Sequence, residues 1–209
     1  MTASQHERNI APMLLTTRHA IVALGSNLDF GEFSPKTIIS NAAKALEASG
    51  FVLTRVSPLY QTPCFPTGAG PDYLNAAALV TLRHNETPQQ ILAVLHRIEA
   101  EFGRERLSRW AGRTLDIDLL AVDGAILPDR ETYLHWQGLA PEDQARLAPN
   151  QLILPHPRLQ DRAFVLVPLA DVAAEWRHPV LGKSVAEMLA ALPAQDRAAV
   201  RRLADPVAT

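Results

Sequence analysis

In the run Leu115-Asp116-Ile117-Asp118-Leu119, the two-residue period of a strand sends the apolar side chains to one face and both carboxylates to the other, about 6 to 7 Å apart. Two hard oxygen donors at that spacing are able to share one or two divalent cations. A lone D-x-D is as a rule only the wet face of a strand, so the neighbourhood decides. Aspartate is a poor strand residue, and Arg104, Arg106, Arg109 and Arg113, with Trp110 among them, lie immediately upstream. Carboxylates holding Mg²⁺ beside guanidiniums suit a polyphosphate, because metal and arginine together neutralise oxygens that the acids alone would repel. The alternative for the arginines is a solvated loop face. Residues 103–112 have a glycine at each end and Trp110 inside, the makings either of a lid or of a ring that plugs the core edge.

A second group of candidates could hold a flat heterocycle. Tyr73 and Asn75 are two apart on a predicted strand and face the same way. An amide offers donor and acceptor side by side, matching the edge of a purine or pterin, and an aromatic face stacks on such a ring. Tyrosine in a strand is more often core. His96 and Glu99 stand at i, i+3 on what reads as the polar side of a helix, where a solvated pair is the plainer reading. His156 lies between two prolines in an extended segment, suited equally to ligand contact and to a structural cap. Cys64, in a proline-rich loop, reads as inert. Neither G-x-x-x-x-G-K-[ST] nor a G-x-G-x-x-G after the first strand occurs, so any nucleotide is held by metals and arginines.

These side chains need a scaffold, and the hydrophobic pattern supplies one. Residues 19–24 read as a strand ending at Gly25-Ser26-Asn27. Ser34-Pro35 opens a helix whose apolar stripe runs through Ile38, Ile39, Ala42, Ala45 and Leu46 to Gly50. Residues 51–60 and 73–82 alternate as two strands joined by a long Pro/Gly-rich loop. Thr87-Pro88-Gln89-Gln90 caps a second helix with Ile91, Leu95, Ile98 and Phe102 on one face, and residues 114–122 form a further strand. The order β-α-β-β-α-β predicts an α+β, ferredoxin-like antiparallel sheet with both helices on one face and C-terminal additions. Residues 1–18 read as a flexible extension and 19–192 as a single domain. Within it, residues 128–150 are a polar insertion with a short helix at Pro141; residues 193–209 read as a C-terminal tail.

Bulk composition narrows the class. With 209 residues, 47% of them hydrophobic, and a formal charge of -2, the chain builds a real core and has no basic field for nucleic acid or anionic membranes. A single cysteine excludes a disulfide scaffold. No uncharged apolar run reaches the length that spans a bilayer, and the first eighteen residues lack the apolar stretch of a signal peptide. The expectation is a cytoplasmic protein.

Taken together and in order, Gly25-Ser26-Asn27, Tyr60-Gln61-Thr62-Pro63, Pro71-Asp72-Tyr73-Leu74-Asn75-Ala76, Arg97-Ile98-Glu99, Arg113-Thr114-Leu115-Asp116-Ile117-Asp118, and Pro155-His156 through Arg162-Ala163-Phe164 resemble the 6-hydroxymethyl-7,8-dihydropterin pyrophosphokinases of folate biosynthesis. The resemblance covers about residues 19–190. It implies a diphosphotransferase that moves pyrophosphate from ATP to the pterin hydroxymethyl group and releases AMP, with two Mg²⁺ ions on Asp116 and Asp118. It further implies Arg104 and Arg113 as phosphate-binding catalytic arginines. Tyr73 and Phe164 would sandwich the pterin, Asn75 would read its edge, and Thr62 and Phe65 would line the pocket. His96, Glu99, Arg106, Trp110, His156 and Arg162 fall on the ATP side. His96 stands where the family often has glutamine, Ala111-Gly112-Arg113 replaces the usual Gly-Pro-Arg, and Gln151 stands where some members carry arginine. A functional link to dihydropteroate synthase, the next enzyme of the pathway, also follows from the resemblance. The residues alone leave three rivals: another Mg²⁺-dependent phosphoryl or nucleotidyl transferase, a ferredoxin-like nucleic-acid module, and a small-molecule regulatory module. The acids at the sheet centre oppose the nucleic-acid reading, because they repel a phosphate backbone.

Overall fold

The computed structural model describes residues 17–64, 68, 70–83, 85–103 and 113–204. The apolar run after Thr17 forms β1 (Arg18–Ser26), and Ser34 caps α1 (Pro35–Ala48) by accepting the Thr37 N–H. β2 (Val52–Val56), β3 (Tyr60–Thr62) and β4 (Tyr73–Leu82) follow. α2 (Pro88–Glu101) has the expected capping box, with Thr87 and Gln90 satisfying each other's backbone N–H. β5 (Asp116–Val122) completes the predicted order.

Every strand pair is antiparallel, and the sheet runs β5-β1-β4, with β2 and β3 both paired to β4. This is the expected ferredoxin-like arrangement, except that the single strand read over residues 51–60 is broken. Pro58 has no N–H to give the ladder, and Ser57 fills the gap: its backbone N–H donates to the Ala77 carbonyl and its hydroxyl accepts the Ala77 N–H, both at 2.9 Å. β2 therefore pairs with the second half of β4 and β3 with the first half.

Alternation along the strands builds two cores. On one face Val22, Leu24, Ala76, Ala78, Ile117 and Leu119 pack with Ile38, Leu46, Leu95 and Ile98 of α1 and α2. On the other, Ile21, Ala77, Leu120 and Ala121 pack against α5 (Ala163–Ala173) and α6 (Val185–Ala191). The crossover helices share one face as predicted, and the C-terminal additions cover the opposite one. A bulge in β5 opposes Ile21 with Ala121 and Val22 with Leu119, so Leu120 and Ala121 both turn toward α5.

The polar insertion at 128–150 holds two helices, α3 (Arg130–Gln137) and α4 (Pro141–Arg146), where one was expected. Tyr133 of α3 is wholly buried and hydrogen-bonds His178 at 2.9 Å, pinning the insertion to the C-terminal additions. Burial pushes the Tyr133 phenol up. Of the segment read as a tail, residues 193–204 form α7 (Ala194–Ala198) and β6 (Arg201–Arg202), which pairs with β3. Of the predicted extension, Arg18 opens β1, and residues 1–16 lie outside the described residues. No helix among the described residues is long and apolar enough to cross a membrane.

Candidate active site

Register places the candidates in rows across the sheet. Tyr60 of β3 opposes Asn75 of β4, Asn75 opposes Gly25 of β1, and Gly25 opposes Asp116 of β5. Two residues along lie Thr62 beside Tyr73, and two residues the other way Ala77, Ala23 and Asp118. Directly opposed residues share a face, and Ala77 marks it as the α5 face. Asn75 and Asp116 are thus two strands apart, about 10 Å, with only glycine between them. A Cβ at Gly25 would stand 3.3 Å from Asn75 Oδ1, so this position is a notch in the floor.

The polar side chains Asn75, Asp116 and Asp118 on the floor each meet a partner. Asn75 is buried and donates from Nδ2 to Thr62 Oγ1 at 2.8 Å, which turns Oδ1 toward Gly25. Tyr73 has its phenol pushed up by burial, partly offset by the Arg113 guanidinium, with Cys64 and Asp116 adding to the rise. Arg113 forms an ion pair with Asp116. Burial alone would lower the Arg113 pKa, but Asp116 in contact and Asp118 beyond it raise it above the ordinary value, so this cation is permanent.

The roof comes from the chain after β5. His156 donates its backbone N–H to the Leu120 carbonyl at 2.7 Å, and its Nδ1 accepts the Arg158 N–H at 3.1 Å. Burial, then the Arg162 charge, push the imidazole down to about 3 against the opposing pull of Asp116. It is therefore neutral at ordinary pH, with its proton on Nε2. Arg162 Nη1 lies 3.9 Å from Asp118 Oδ2, and its guanidinium sits 5.6 Å from the ring centre of Phe164, a ring left 39% exposed in the first turn of α5.

Glu99 corrects its sequence reading. It is not on a solvated face but 2% exposed, and its Oε1 accepts the Ile117 backbone N–H at 2.7 Å. His96, one turn earlier on the same helix, is exposed, and α2 packs against the other face of the sheet from the carboxylates. Gln151 is exposed as well. Phe65, Arg104, Arg106 and Trp110 lie outside the described residues. The structure thus brings Thr62, Tyr73, Asn75, Arg113, Asp116, Asp118, His156, Arg162 and Phe164 to one face.

Three residues of the site entered the sequence reading only as a turn and as part of the ordered motif set, with no role of their own. Gly25 is the notch, the Ser26 hydroxyl donates to the Thr114 carbonyl, and buried Asn27 bonds to both Pro71 and Arg113. Their signal was a Gly-Ser-Asn triplet directly after an apolar strand, which reads equally well as an ordinary turn.

Residues 21–174 match the family described as 7,8-dihydro-6-hydroxymethylpterin-pyrophosphokinase (HPPK). The chain belongs to this family. It is 38% identical to a 2-amino-4-hydroxy-6-hydroxymethyldihydropteridine pyrophosphokinase of Pseudomonas aeruginosa, over 82% of this chain and 90% of that one. It is 34% identical to the Synechocystis protein of the same name, over 81% and 74% respectively. Among solved structures, the Plasmodium falciparum HPPK-DHPS chain superposes with a TM-score of 0.57 at 15% identity, a likeness of fold. The match covers 84% of this chain and 44% of that longer one. The HPPK resemblance carried by the ordered motifs is borne out.

Proposed function

We propose that this HPPK-family chain transfers pyrophosphate from ATP to the hydroxymethyl group of 6-hydroxymethyl-7,8-dihydropterin, giving the pterin diphosphate and AMP. The observation that carries the reading is the row Asn75, Gly25, Asp116, which sets a heterocycle-reading amide and a cation-binding carboxylate on one floor about two strand spacings apart.

The donor set fits Mg²⁺. Asp116 and Asp118 share a face, and no cluster of three or more His, Cys, Asp and Glu gathers among the described residues. Two carboxylates with phosphate and water oxygens suit this hard ion, which binds through few protein ligands. When bound, two Mg²⁺ ions neutralise the phosphate chain and acidify the attacking hydroxyl.

The chain's own residues do the positioning. Tyr73 and Phe164 sandwich the pterin, Asn75 reads its edge in the orientation Thr62 imposes, and Phe65 joins the pocket wall. The pterin hydroxymethyl oxygen attacks the β-phosphorus of ATP in line, AMP leaves with the α-β bridging oxygen, and Asp118 or solvent takes the hydroxyl proton. Arg113 and Arg104 stabilise charge on the transferred group. His156, fixed as a neutral Nε2–H donor, serves ATP together with Arg162, Arg106, Trp110 and His96, and Glu99 acts indirectly by holding the Ile117 N–H between the two carboxylates. Residues 18–204 carry the sheet and helices of the catalytic domain, and the product passes to dihydropteroate synthase in the cytoplasm.

Phosphorus NMR of the protein with ATP, Mg²⁺ and the pterin tests this. Pterin-dependent AMP and a pterin diphosphate are expected; ADP, inorganic pyrophosphate or no turnover would overturn it.

A further inference from the structure

Asn27 ends β1 in a turn, yet it is 3% exposed. Its side chain joins two segments far apart in sequence. Nδ2 donates to the Pro71 carbonyl at 3.1 Å, in the connector that leads into Tyr73 and Asn75. Oδ1 accepts the Arg113 N–H at 2.8 Å, at the entrance to β5. The Asn27 backbone N–H donates to the Arg113 carbonyl at 3.0 Å, and Leu28 N–H to the same oxygen at 3.3 Å. One buried amide therefore closes a clasp: the segment carrying the heterocycle wall is on its donor side, and the segment carrying Arg113 and Asp116 is on its acceptor side.

The side-chain chemistry is restrictive. A carboxylate accepts from Arg113 N–H and has nothing to donate to Pro71, and a serine hydroxyl is shorter and has a single polar atom. The primary amide, itself buried, offers a donor to one partner and an acceptor to the other at once. Neither partner bond lies within a helix or in a sheet ladder, so β1, β4 and β5 would pair without it. The clasp acts on the loops that overhang the strand ends, where both halves of the floor meet.

We propose that Asn27 is a positioning residue that couples the pterin half of the site to the phosphate half, holding Tyr73 and Asn75 in register with Arg113 and Asp116. This rests on the pyrophosphokinase reading. It predicts an asymmetry that a merely structural role would not produce. Asn27→Asp keeps the acceptor and loses the donor, so it loosens the pterin side alone; Asn27→Ala loosens both.

The test measures binding of the pterin and of a non-hydrolysable ATP analogue with Mg²⁺, kcat, and amide hydrogen exchange at Arg113, for wild type and both variants. For Asn27→Asp, a rise of about tenfold in pterin Kd is expected, the effect of one lost hydrogen bond, with analogue Kd and Arg113 exchange unchanged. For Asn27→Ala, both Kd values rise, Arg113 exchange accelerates and kcat falls. Equal losses for the two substrates in Asn27→Asp, or unchanged Arg113 exchange in Asn27→Ala, would overturn the proposal. If Asn27→Ala does not fold, Asn27→Asp decides through its split between substrates. A wild type that makes no AMP refutes the activity instead, and Arg113 exchange in substrate-free protein still decides whether the clasp exists.

Discussion

The Glu99 carboxylate accepts the backbone N–H of Ile117 at 2.7 Å, at the one strand position between Asp116 and Asp118. β5 is the outermost strand on its side of the sheet, so an N–H that does not point at β1 has no strand to bond. Glu99 supplies the missing acceptor from α2. By fixing the backbone of residue 117, it fixes the direction in which both neighbouring carboxylates leave the strand. Glu99→Gln keeps an oxygen acceptor and is expected to hold stability within about 1 kcal/mol and to retain most of kcat. Glu99→Leu strands a buried N–H and should cost about 1 to 3 kcal/mol. Urea unfolding together with kcat for the two variants checks this; equal behaviour of Gln and Leu would show that the bond does not position β5.

Gly25 makes a sharper prediction about geometry. A methyl group there meets Asn75 Oδ1 at 3.3 Å and must displace it, because Thr62 already holds the other end of the amide. Gly25→Ala is expected to weaken pterin binding about tenfold, equivalent to one misplaced hydrogen bond, while the ATP analogue binds as before. Pterin fluorescence titration reads the loss. Unchanged pterin affinity would mean that the notch plays no part in binding.

Much of this site was readable because strand periodicity is a local rule. Asp116 with Asp118, and Tyr73 with Asn75, were assigned to common faces from spacing alone, and the register keeps them there. Glu99 was misread because helical position shows which way a side chain leaves its helix but not what it meets; the edge of β5 is a tertiary partner. Tyr133 was missed for the same reason. Its insertion has a polar average, and its one buried ring is decided by His178, forty-five residues on. The break at Pro58 was visible in principle, since a proline inside a strand pattern argues against continuity.

That Tyr133–His178 pair sets an acid limit on stability. His178 is wholly buried, and its Nδ1 accepts the Val180 and Leu181 N–H groups at 3.2 and 3.3 Å. Nε2 therefore carries the proton toward Tyr133. Burial pushes the imidazole down to about 4, whereas the unfolded chain titrates near 6.5. As pH falls through that window the unfolded state takes up a proton first, so stability is full above about 6.5 and declines toward 4. Urea midpoints from pH 7 to 4 should fall for wild type and fall less steeply for His178→Gln. Tyr133→Phe should cost about 1 kcal/mol and leave kcat unchanged, since the pair touches no part of the site.

Phe164 separates two ways of losing activity. Its ring is 39% exposed, so removing it costs the fold little, but the Arg162 guanidinium lies over it at 5.6 Å and reaches Asp118 at 3.9 Å. Phe164→Ala therefore removes a pterin wall and the support of a cation. Tyr73→Ala removes only a wall, from a residue whose neighbour Arg113 is held independently by Asp116. Both variants are expected to weaken pterin binding about tenfold, the loss of one aromatic stack. Only Phe164→Ala should also lower kcat at saturating pterin, and Phe164→Trp, which restores a face for the guanidinium, should recover it. Matching kcat values for Phe164→Ala and Tyr73→Ala would show that Arg162 does not depend on the ring beneath it.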